Sequence, residues 1–333
     1  MWILIVAAAL YLAYKLLPWY TKRLERKNER LRAELEQRKA EQEARRKAQE
    51  KAHRLEISGM DLETLRQRAD AGDVDCMKEL AERYYLAGGG VEEEDKAQAY
   101  HYLMRLAEMG DYSDGYFLGR IIDEGIPGVL EADEAKAAEV YYLGGLAGED
   151  NSKDSFSMLT FRDPAKAKYG HAEEAFQWML ELAEKDLDGN VDERIGELFA
   201  AQNPVALKDP VTSEHAVRES YNWMVRAAKK GNAQAADILA LAFATGDFLR
   251  YRNAVVTNME EARRYASIVW NDSFTQFFYN HGKQIPYSNF FYALAVVNRD
   301  DPEKMRLMLE TGAANNNPRC IEALRQLDQS EAG

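Results

Sequence analysis

Cysteine is scarce in this sequence, which has only Cys76 and Cys320 among its 333 residues. Two cysteines so far apart form neither the disulfide framework of a small secreted domain nor a set of zinc ligands. They are consistent with a reducing compartment. The alternation of apolar and polar residues that is typical of β-strands is also missing along the chain. The sequence therefore predicts an all-α protein.

The sequence also lacks the motifs of common active sites. None of its five histidines stands four residues from another, and it has no His-Glu-x-x-His, Gly-x-Ser-x-Gly or Gly-x-x-x-x-Gly-Lys motif. His171-Ala-Glu173 matches one half of a zinc deaminase signature, but the Pro-Cys-x-x-Cys half is missing. We therefore expect no enzymatic activity, no cofactor and no catalytic metal.

One acidic stretch has the spacing of a calcium-binding loop. Side chains with oxygen atoms stand at loop positions 1, 3, 5 and 12, from Asp186 to Glu197. Position 6, where such a loop needs Gly, is Val191. The simpler interpretation is a turn whose Asp192 caps the next helix. The sequence leaves open whether this loop binds calcium.

Negative charge dominates the chain, whose formal net charge is −13, but the charge is unevenly distributed. The segment Thr21–Glu56 has 13 Lys and Arg against 8 Asp and Glu, a balance of +5. Because Lys15 is also positive, the chain from Ile57 onward carries −19. Such an acidic body repels phosphates, which excludes nucleic acid as its partner.

The basic segment Thr21–Glu56 contains neither Pro nor Gly and consists mainly of good helix formers. It predicts a charged helical stalk. Leucines at positions 24, 31 and 35 begin the heptad pattern of a coiled coil, but the next positions of that pattern hold Arg38 and Gln42. Because a coiled coil needs three or four sustained heptads, a single helix is the better interpretation. Formation of a homo-oligomer through the stalk stays open.

The first twenty residues, Met1–Tyr20, form an apolar run in which Lys15 is the only charged side chain. A helix of about 20 apolar residues crosses a bilayer, whereas a cleaved signal peptide needs a positive stretch before the run and small residues after it. A buried globular helix is a further alternative. We predict a transmembrane anchor. Because a cluster of Lys and Arg follows it, we expect a single-pass protein of the inner (plasma) membrane with its C-terminal body in the cytoplasm.

The body of the chain repeats itself with a period of 38 residues. Gly72, Gly110 and Gly148 are spaced by this period, and Leu80 and Leu118 follow their glycines by eight residues. Each repeat is predicted to contain two helices, the first near residues 74–86 and the second near residues 96–109. Apolar residues of the first helix recur at helical spacing, at Met77, Leu80, Ala81 and Tyr84. Small residues at positions 81 and 119, and at 97 and 135, are expected where neighbouring helices approach closely. One such repeat cannot bury both of its faces, so the repeats must stack.

This pattern resembles the Sel-one-type repeat, a branch of the tetratricopeptide-like helical repeats. The resemblance rests on Ala-x-x-Gly, on a Leu and a small residue eight and nine positions after that Gly, and on Gly-Val-x-x-x-Asp-x-Ala. It is best over Gly72–Gly110 and Gly110–Gly148, fair over Ala227–Trp270, and half present at His171–Lys185. The resemblance implies a right-handed α-α solenoid over residues 57–270, with capping helices over residues 271–333. Members of this family are mostly adaptors that assemble complexes.

Aromatic residues cluster after the repeat pattern ends at Asn271. The first interpretation is that they seal the open end of the solenoid, and the alternative is an exposed docking patch. The residues are Phe274, Phe277, Phe278, Tyr279, Phe290, Phe291 and Tyr292.

Together these features predict a membrane-tethered adaptor that binds proteins or peptides through a helical groove and assembles or regulates a membrane-associated complex. The alternative is a non-catalytic subunit, or an enzyme whose site forms only in three dimensions. First helices of such a solenoid line its concave side, so the stripe opposite their apolar face should bind the partner. In the first two repeats this stripe consists of Lys78, Glu82, Tyr85, Tyr116, Arg120 and Asp123.

Overall fold

The computed structural model describes residues 32, 35–49, 51–207, 213–249, 251–252 and 254–331. These residues are helical apart from turns and loops, and their only extended pairing is two isolated bridges, Ile126–Leu130 and Phe248–Tyr251. The all-α class is thus confirmed over the described part of the chain. The chain divides into two compact units, Met1–Leu106 (unit 1) and Ala107–Gly333 (unit 2).

The helices are short and follow one another closely. The described part of unit 1 contains α1 (residues 35–49 and 51–58), α2 (Leu62–Asp70), α3 (Val74–Leu86) and most of α4 (Lys96–Glu108). The described part of unit 2 contains α5 (Gly115–Glu124), α6 (Glu134–Leu146), α7 (Asp150–Thr160), α8 (Ala172–Ala183), α9 (Asn190–Ala200), α10 (Ser213–Lys229), α11 (Ala233–Thr245), α12 (Met259–Asn271), α13 (Ser273–Asn280), α14 (Asn289–Val297), α15 (Pro302–Ala314) and α16 (Pro318–Glu331).

Helix α3 begins and ends where the sequence predicts. The side chain of Asp73 accepts the backbone N–H of Cys76 at 3.2 Å, which caps the first turn. The predicted apolar face is buried throughout; it consists of Met77, Leu80, Ala81 and Tyr84. The helix ends at Ala87, whose φ of 51° is left-handed, immediately before the three glycines at positions 88–90.

The 38-residue period is visible in the backbone as well as in the sequence. Gly72, Gly110 and Gly148 each stand just before the first helix of a repeat, and their φ angles are +101°, +80° and +96°. Gly231 stands before α11 in the same way, with a φ of +98°. Glycine adopts this conformation without the steric cost that a Cβ imposes, so these positions turn the chain from one helix pair into the next.

A backbone hydrogen bond closes three of the helix pairs in the same way. The N–H of Asp95, which precedes α4, donates to the carbonyl oxygen of Tyr84 in α3 at 2.8 Å. One period later Asp133 donates to Ile122 at 2.9 Å. Asn258 donates to Phe243 at 2.8 Å, although four extra residues lie in the turn between α11 and α12. The repeat therefore persists at α11 and α12 where the sequence match is only fair.

One detail of the predicted packing is wrong. Ala97 is half-buried and Ala135 is exposed, so this pair does not allow the close approach of helices. The small residues that are buried lie two positions later, at Ala99 and Ala137. The first turn of each second helix therefore faces the core through a different residue than the sequence comparison indicates.

Within unit 2 each helix packs against its neighbours in the sequence, from α5 on α6 through α11 on α12, and α5 also contacts α7. This nearest-neighbour packing is that of an α-solenoid. The α13 helix contacts α12, and α14 returns to pack on both α11 and α12 before α15 and α16 follow. The handedness of the solenoid and the predicted domain boundaries stay predictions.

The described residues of the predicted stalk, 35–49 and 51–58, are helical, and most of their side chains are exposed. Arg83 of α3 fixes the end of this helix within unit 1. Its guanidinium is buried and donates to the carbonyl oxygens of Ser58 at 2.8 Å and Met60 at 3.0 Å. Homo-oligomer formation through the stalk stays a prediction.

The aromatic residues near the C-terminus fall into two groups. Phe290 and Phe291 are buried in the core of unit 2, where they contribute to sealing its end. Phe274, Phe277 and Tyr279 of α13 remain largely exposed. The buried pair agrees with the sealing role, and a docking patch on α13 stays a prediction.

The predicted localisation, a single-pass membrane protein, needs correction. No helix in the part of the chain that the structure describes is both long and apolar enough to cross a bilayer. The predicted anchor, Met1–Tyr20, lies outside the described residues. The helical stalk is described only in part.

Candidate functional site

The six residues predicted to bind a partner are divided between the two units. Lys78, Glu82 and Tyr85 lie half-buried along α3 of unit 1, and the other three predicted residues lie half-buried along α5 of unit 2. In each helix the three positions follow the i, i+4, i+7 spacing of one face. It stays a prediction that the two sets form one surface.

The set on α5 is organised by Arg120. Its Nη1 donates to the hydroxyl of Tyr116 at 3.3 Å, and its Nε donates to the carboxylate of Glu124 at 2.9 Å. Asp123, one turn along the helix, interacts electrostatically with Arg162 in the connector after α7. The guanidinium is therefore oriented along the helix between a ring and a carboxylate.

The same stripe occurs on the first helix of each later repeat. Its position is set by one small buried residue, at which the helix packs closely against its neighbours. This residue is Gly119 in α5, Ser157 in α7, Gly196 in α9 and Ala240 in α11. The stripe lies three residues before it, one after it and four after it, as in α3 and α5. In the later helices these positions are Asp154, Met158, Phe161, Glu193, Glu197, Ala200, Asp237, Leu241 and Ala244.

Several stripe residues line one groove in unit 2. The larger pocket of the groove has a volume of about 510 Å³ and lies among α9, α11, α14, α16 and the connector after α7. A smaller pocket of about 260 Å³ lies between the end of α7 and α9. Glu197 and Pro164 line both, so the pockets adjoin. The stripe residues that line the groove are Met158, Phe161, Glu197, Ala200 and Leu241.

The connector between α7 and α8 forms one rim of the groove and is held on two sides. Asn203, which is buried after α9, donates through Nδ2 to the carbonyl oxygen of Pro164 at 2.9 Å. Glu134 at the start of α6 accepts hydrogen bonds from three connector side chains: Lys168 at 2.5 Å, Tyr169 at 2.6 Å and Arg162 at 2.7 Å. These donors, with Lys168 the largest cause, lower the pKa of Glu134 to about 2. The rim is therefore tied to α6 and to the end of α9.

Two carboxyl groups of α9 meet at the edge of the larger pocket. Glu193 is only 7 % exposed, and Glu197 stands one turn later on the same face. Gln234 of α11 donates through Nε2 to Oε1 of Glu193 at 2.6 Å and lies 3.5 Å from Oε1 of Glu197. Burial, followed by the charge and hydrogen bond of Glu197, raises the pKa of Glu193 to about 8. At neutral pH Glu193 therefore favours its protonated form.

Arg194 lies between this pair and α7. Its Nη2 forms an ion pair with Asp154. Its Nη1 is buried and has no hydrogen-bond partner among the described residues, and the side chain lines the smaller pocket. The groove thus contains a donor without a partner, and the carboxyl group of Glu197 beside the buried Glu193.

Asp237, the first stripe position of α11, has a structural role. Its carboxylate accepts the backbone N–H of Phe290 at 2.7 Å and Nδ2 of Asn289 at 2.8 Å, at the N-terminus of α14. Burial raises its pKa to about 6. Because Asn289 lines the groove, Asp237 positions α14 as one of its walls.

The acidic loop after α8 does not gather its oxygen atoms. Asp186 accepts the N–H of Val191 at 3.0 Å, so the capping role predicted for Asp192 belongs to Asp186 instead. Asp192 is fully buried and pairs with Lys230 at 2.6 Å and Arg226 at 3.2 Å. No group of three metal-ligating side chains occurs among the described residues. Asp186, the first position of the predicted loop, is thus used to cap α9.

Sequence reasoning missed Glu193, Glu197 and Gln234. The spacing of the stripe could have identified Glu193 and Glu197, provided that it is counted from Gly196 in α9. The leading Gly that sets the register in α3 and α5 is displaced before α9, where the required position is Leu187 and the glycine is Gly189. Counting from the glycine therefore selects the wrong face of this helix.

Comparisons with known proteins give partial structural likeness only. No model of a protein family matches this chain, and no curated protein matches it significantly. A Sel1 repeat protein from Oxalobacter formigenes resembles it with a TM-score of 0.47 and 16 % identity, over 73 % of this chain and 88 % of that one. The protective antigen c5321 of uropathogenic Escherichia coli, which displays an SLR fold, resembles it with a TM-score of 0.47 and 22 % identity, over 80 % of this chain and 54 % of that one. This chain thus spans about half the length of c5321.

Proposed function

We propose that this protein is an adaptor that binds a segment of another protein in the groove of unit 2, and that it is not an enzyme. The observation that carries the proposal is the convergence of stripe positions from α7, α9 and α11 on one groove. Successive repeats offer equivalent positions to a chain that lies across them, which is how stacked helical repeats present an extended binding surface.

The lining of the groove suits an extended peptide. Its floor is apolar, with Ala200, Ile238 and Leu241. Met158 is 53 % exposed at the other end of the groove. Flexible Met side chains adapt to partners of different shape. Apolar anchors with a few polar groups around them are typical of sites that bind polypeptide segments.

The alternative function, an enzyme whose site forms only in three dimensions, has one candidate among the described residues. Glu193, which lies beside Glu197, has the raised pKa of a group that acts as a general acid. The two carboxyl groups are one turn apart on one helix, however, and share Gln234 as a donor. The adaptor explains the whole stripe, whereas this alternative uses two of its residues.

The proposal is tested by site-specific crosslinking in the full chain. A benzophenone amino acid replaces Met158 in the groove, and the matched control replaces Leu146, which is 60 % exposed on the second helix α6. The protein captured at position 158 is identified by mass spectrometry, and the crosslinked segment is then synthesised. We expect this peptide to bind purified protein at one site and to lose about tenfold or more in affinity with Leu241→Arg.

Two outcomes contradict the proposal. One is equal capture of the same proteins from positions 158 and 146. The other is unchanged peptide binding by a folded Leu241→Arg variant, since that side chain would then lie outside the contact. An enzymatic activity that is lost in Glu193→Gln and Glu197→Gln would instead favour the alternative.

A further inference from the structure

The charges of the larger pocket indicate what kind of side chain it accepts, if the proposed function holds; Arg162 and Arg194 line the smaller pocket. Acidic side chains predominate around the larger pocket, where Asp163, Glu197 and Asp247 lie beside its apolar floor. Arg319 of α16 is the one basic side chain that lines this pocket among the described residues, and its guanidinium lies over the ring of Tyr292, 6.0 Å from the centroid. The pocket is therefore complementary to a positive charge.

Glu197, which lines this pocket, stands beside the buried Glu193. Two carboxylates this close cannot both ionise at neutral pH without a cation between or beside them. In the structure Gln234 donates to Glu193, and a neutral amide supplies no compensating charge. A proton therefore occupies the position that a cation could take.

The groups around the pair do not supply that cation. Arg194 lowers the pKa of Glu193 in part, but its guanidinium is already paired with Asp154 on α7. Asp237 on α11 and Tyr287 before α14 both interact with this region, and neither is positive. From α10, Arg226 and Lys230 are committed to Asp192. Glu193 is thus protonated in the unbound protein because none of these groups places a free positive charge beside it.

We propose that the groove binds a segment carrying a lysine or arginine, whose charged end enters the larger pocket and pairs with Glu197, beside the buried Glu193. The O–H bond of Glu193 breaks and its proton passes to the solvent, so one proton leaves for each positive side chain that enters. Apolar side chains of the segment lie along Ile238 and Leu241, and the unpaired Nη1 of Arg194 donates to a carbonyl oxygen of the segment in the smaller pocket.

Isothermal titration calorimetry of the full chain tests this inference with defined probes. The probe is the peptide acetyl-Ala-Leu-Ala-Lys-Ala-Leu-Ala-amide, and matched peptides carry norleucine or glutamate in place of lysine. Each is titrated at neutral pH in two buffers of different ionisation enthalpy, which gives the number of protons released. We expect the lysine peptide to bind about tenfold tighter than the norleucine peptide and to release close to one proton.

Variants separate the carboxyl pair from the rest of the groove. Glu193→Gln keeps the shape and the acceptor for Gln234, so it should bind the lysine peptide without releasing a proton. Glu197→Lys should reverse the preference and favour the glutamate peptide. Glu173→Gln, an exposed position on α8, is the matched control and should behave as the unmodified chain.

Each contrary result has a definite meaning. Binding of the lysine peptide with no proton release overturns the inference and leaves the adaptor function standing. Equal affinity for the lysine and norleucine peptides, or an unchanged preference in Glu197→Lys, overturns it as well. If no peptide binds while crosslinking at position 158 still captures a partner, only the inference fails. If crosslinking also fails, the proposed function fails with it.

Discussion

Gly119 of α5 lies directly against the ring of Tyr141 in α6. A Cβ at position 119 would overlap Cε1 and Cδ1 of that ring, and Tyr141 is only 2 % exposed. One repeat earlier the equivalent residues are Ala81 and Leu103, which are also buried. Where the first helix has Ala instead of Gly, the second helix has Leu instead of Tyr. Such a compensating change in size is expected when two positions share one volume.

Gly119→Ala is therefore expected to destabilise unit 2 by about 1–3 kcal/mol, because the methyl group overpacks the contact with Tyr141. The gain in helix propensity of up to about 1 kcal/mol offsets only part of this loss. Urea unfolding of the full chain followed by circular dichroism measures the effect. Tyr141→Leu should rescue Gly119→Ala in a double-mutant cycle, and additive effects of the two changes would show that they do not share this volume.

Leu80 and Leu118 occupy equivalent positions in α3 and α5 and are 0 % and 2 % exposed. Replacement of either by Ala should lower the free energy of unfolding by about 2–5 kcal/mol, since each leaves a cavity in a packed helix pair. Leu86→Ala is the control in α3, because Leu86 is 55 % exposed, and it should change stability by less than about 0.5 kcal/mol. A silent Leu118→Ala would show that the 38-residue register is misplaced in unit 2.

Stability should depend on pH through Glu193. Its pKa is about 8 in the folded protein against 4.5 for an ordinary Glu, so folding favours the protonated form. This stabilisation is complete below about pH 4.5 and is lost as the pH rises through about 8. Glu193→Gln removes the titration while it keeps the acceptor for Gln234. Between about pH 5 and 9 the unmodified chain should lose about 1–3 kcal/mol relative to this variant.

Urea midpoints measured across this pH range check the prediction. Glu173→Gln, at an exposed position of α8, should follow the unmodified chain at every pH. If the urea midpoints of the unmodified chain and of Glu193→Gln change in parallel with pH, Glu193 is ionised in the folded protein and holds no proton beside the groove.

The stripe on α5 is the part of the predicted binding surface that lies in unit 2. Tyr116→Ala combined with Arg120→Glu removes the ring and reverses the charge that Glu124 orients. If the bound segment extends along the stripe as far as α5, its affinity should fall by about tenfold or more. Fluorescence anisotropy with the segment mapped by crosslinking measures this. Unchanged affinity would show that the bound segment does not extend to α5. The exposed Phe274 and Phe277 of α13 would then be the next residues to test.

The helices and the repeat could be predicted from the sequence because their causes are local. The spacing of Met77, Leu80 and Tyr84 sets the buried face of α3, and Asp73 and the glycines after Ala87 set its ends. Such signals act over a single turn of helix, so they can be read without knowing what packs against them. The two-helix period follows from the same signals recurring at Gly72 and Gly110.

The groove was decided by tertiary structure. Its central pair, Glu193 and Glu197, lies on a helix whose leading glycine is displaced, so the register of α9 is visible only where Gly196 packs against Met224. A Cβ at position 196 would lie 3.1 Å from the methyl carbon of that Met. The wall formed by α14 depends on Asp237 reaching Phe290 across 53 positions of the sequence. A sequence records which side chains are present and which face of a helix they occupy. Burial, which raises the pKa of Glu193 and leaves a donor of Arg194 unpaired, exists only once separate helices enclose one volume.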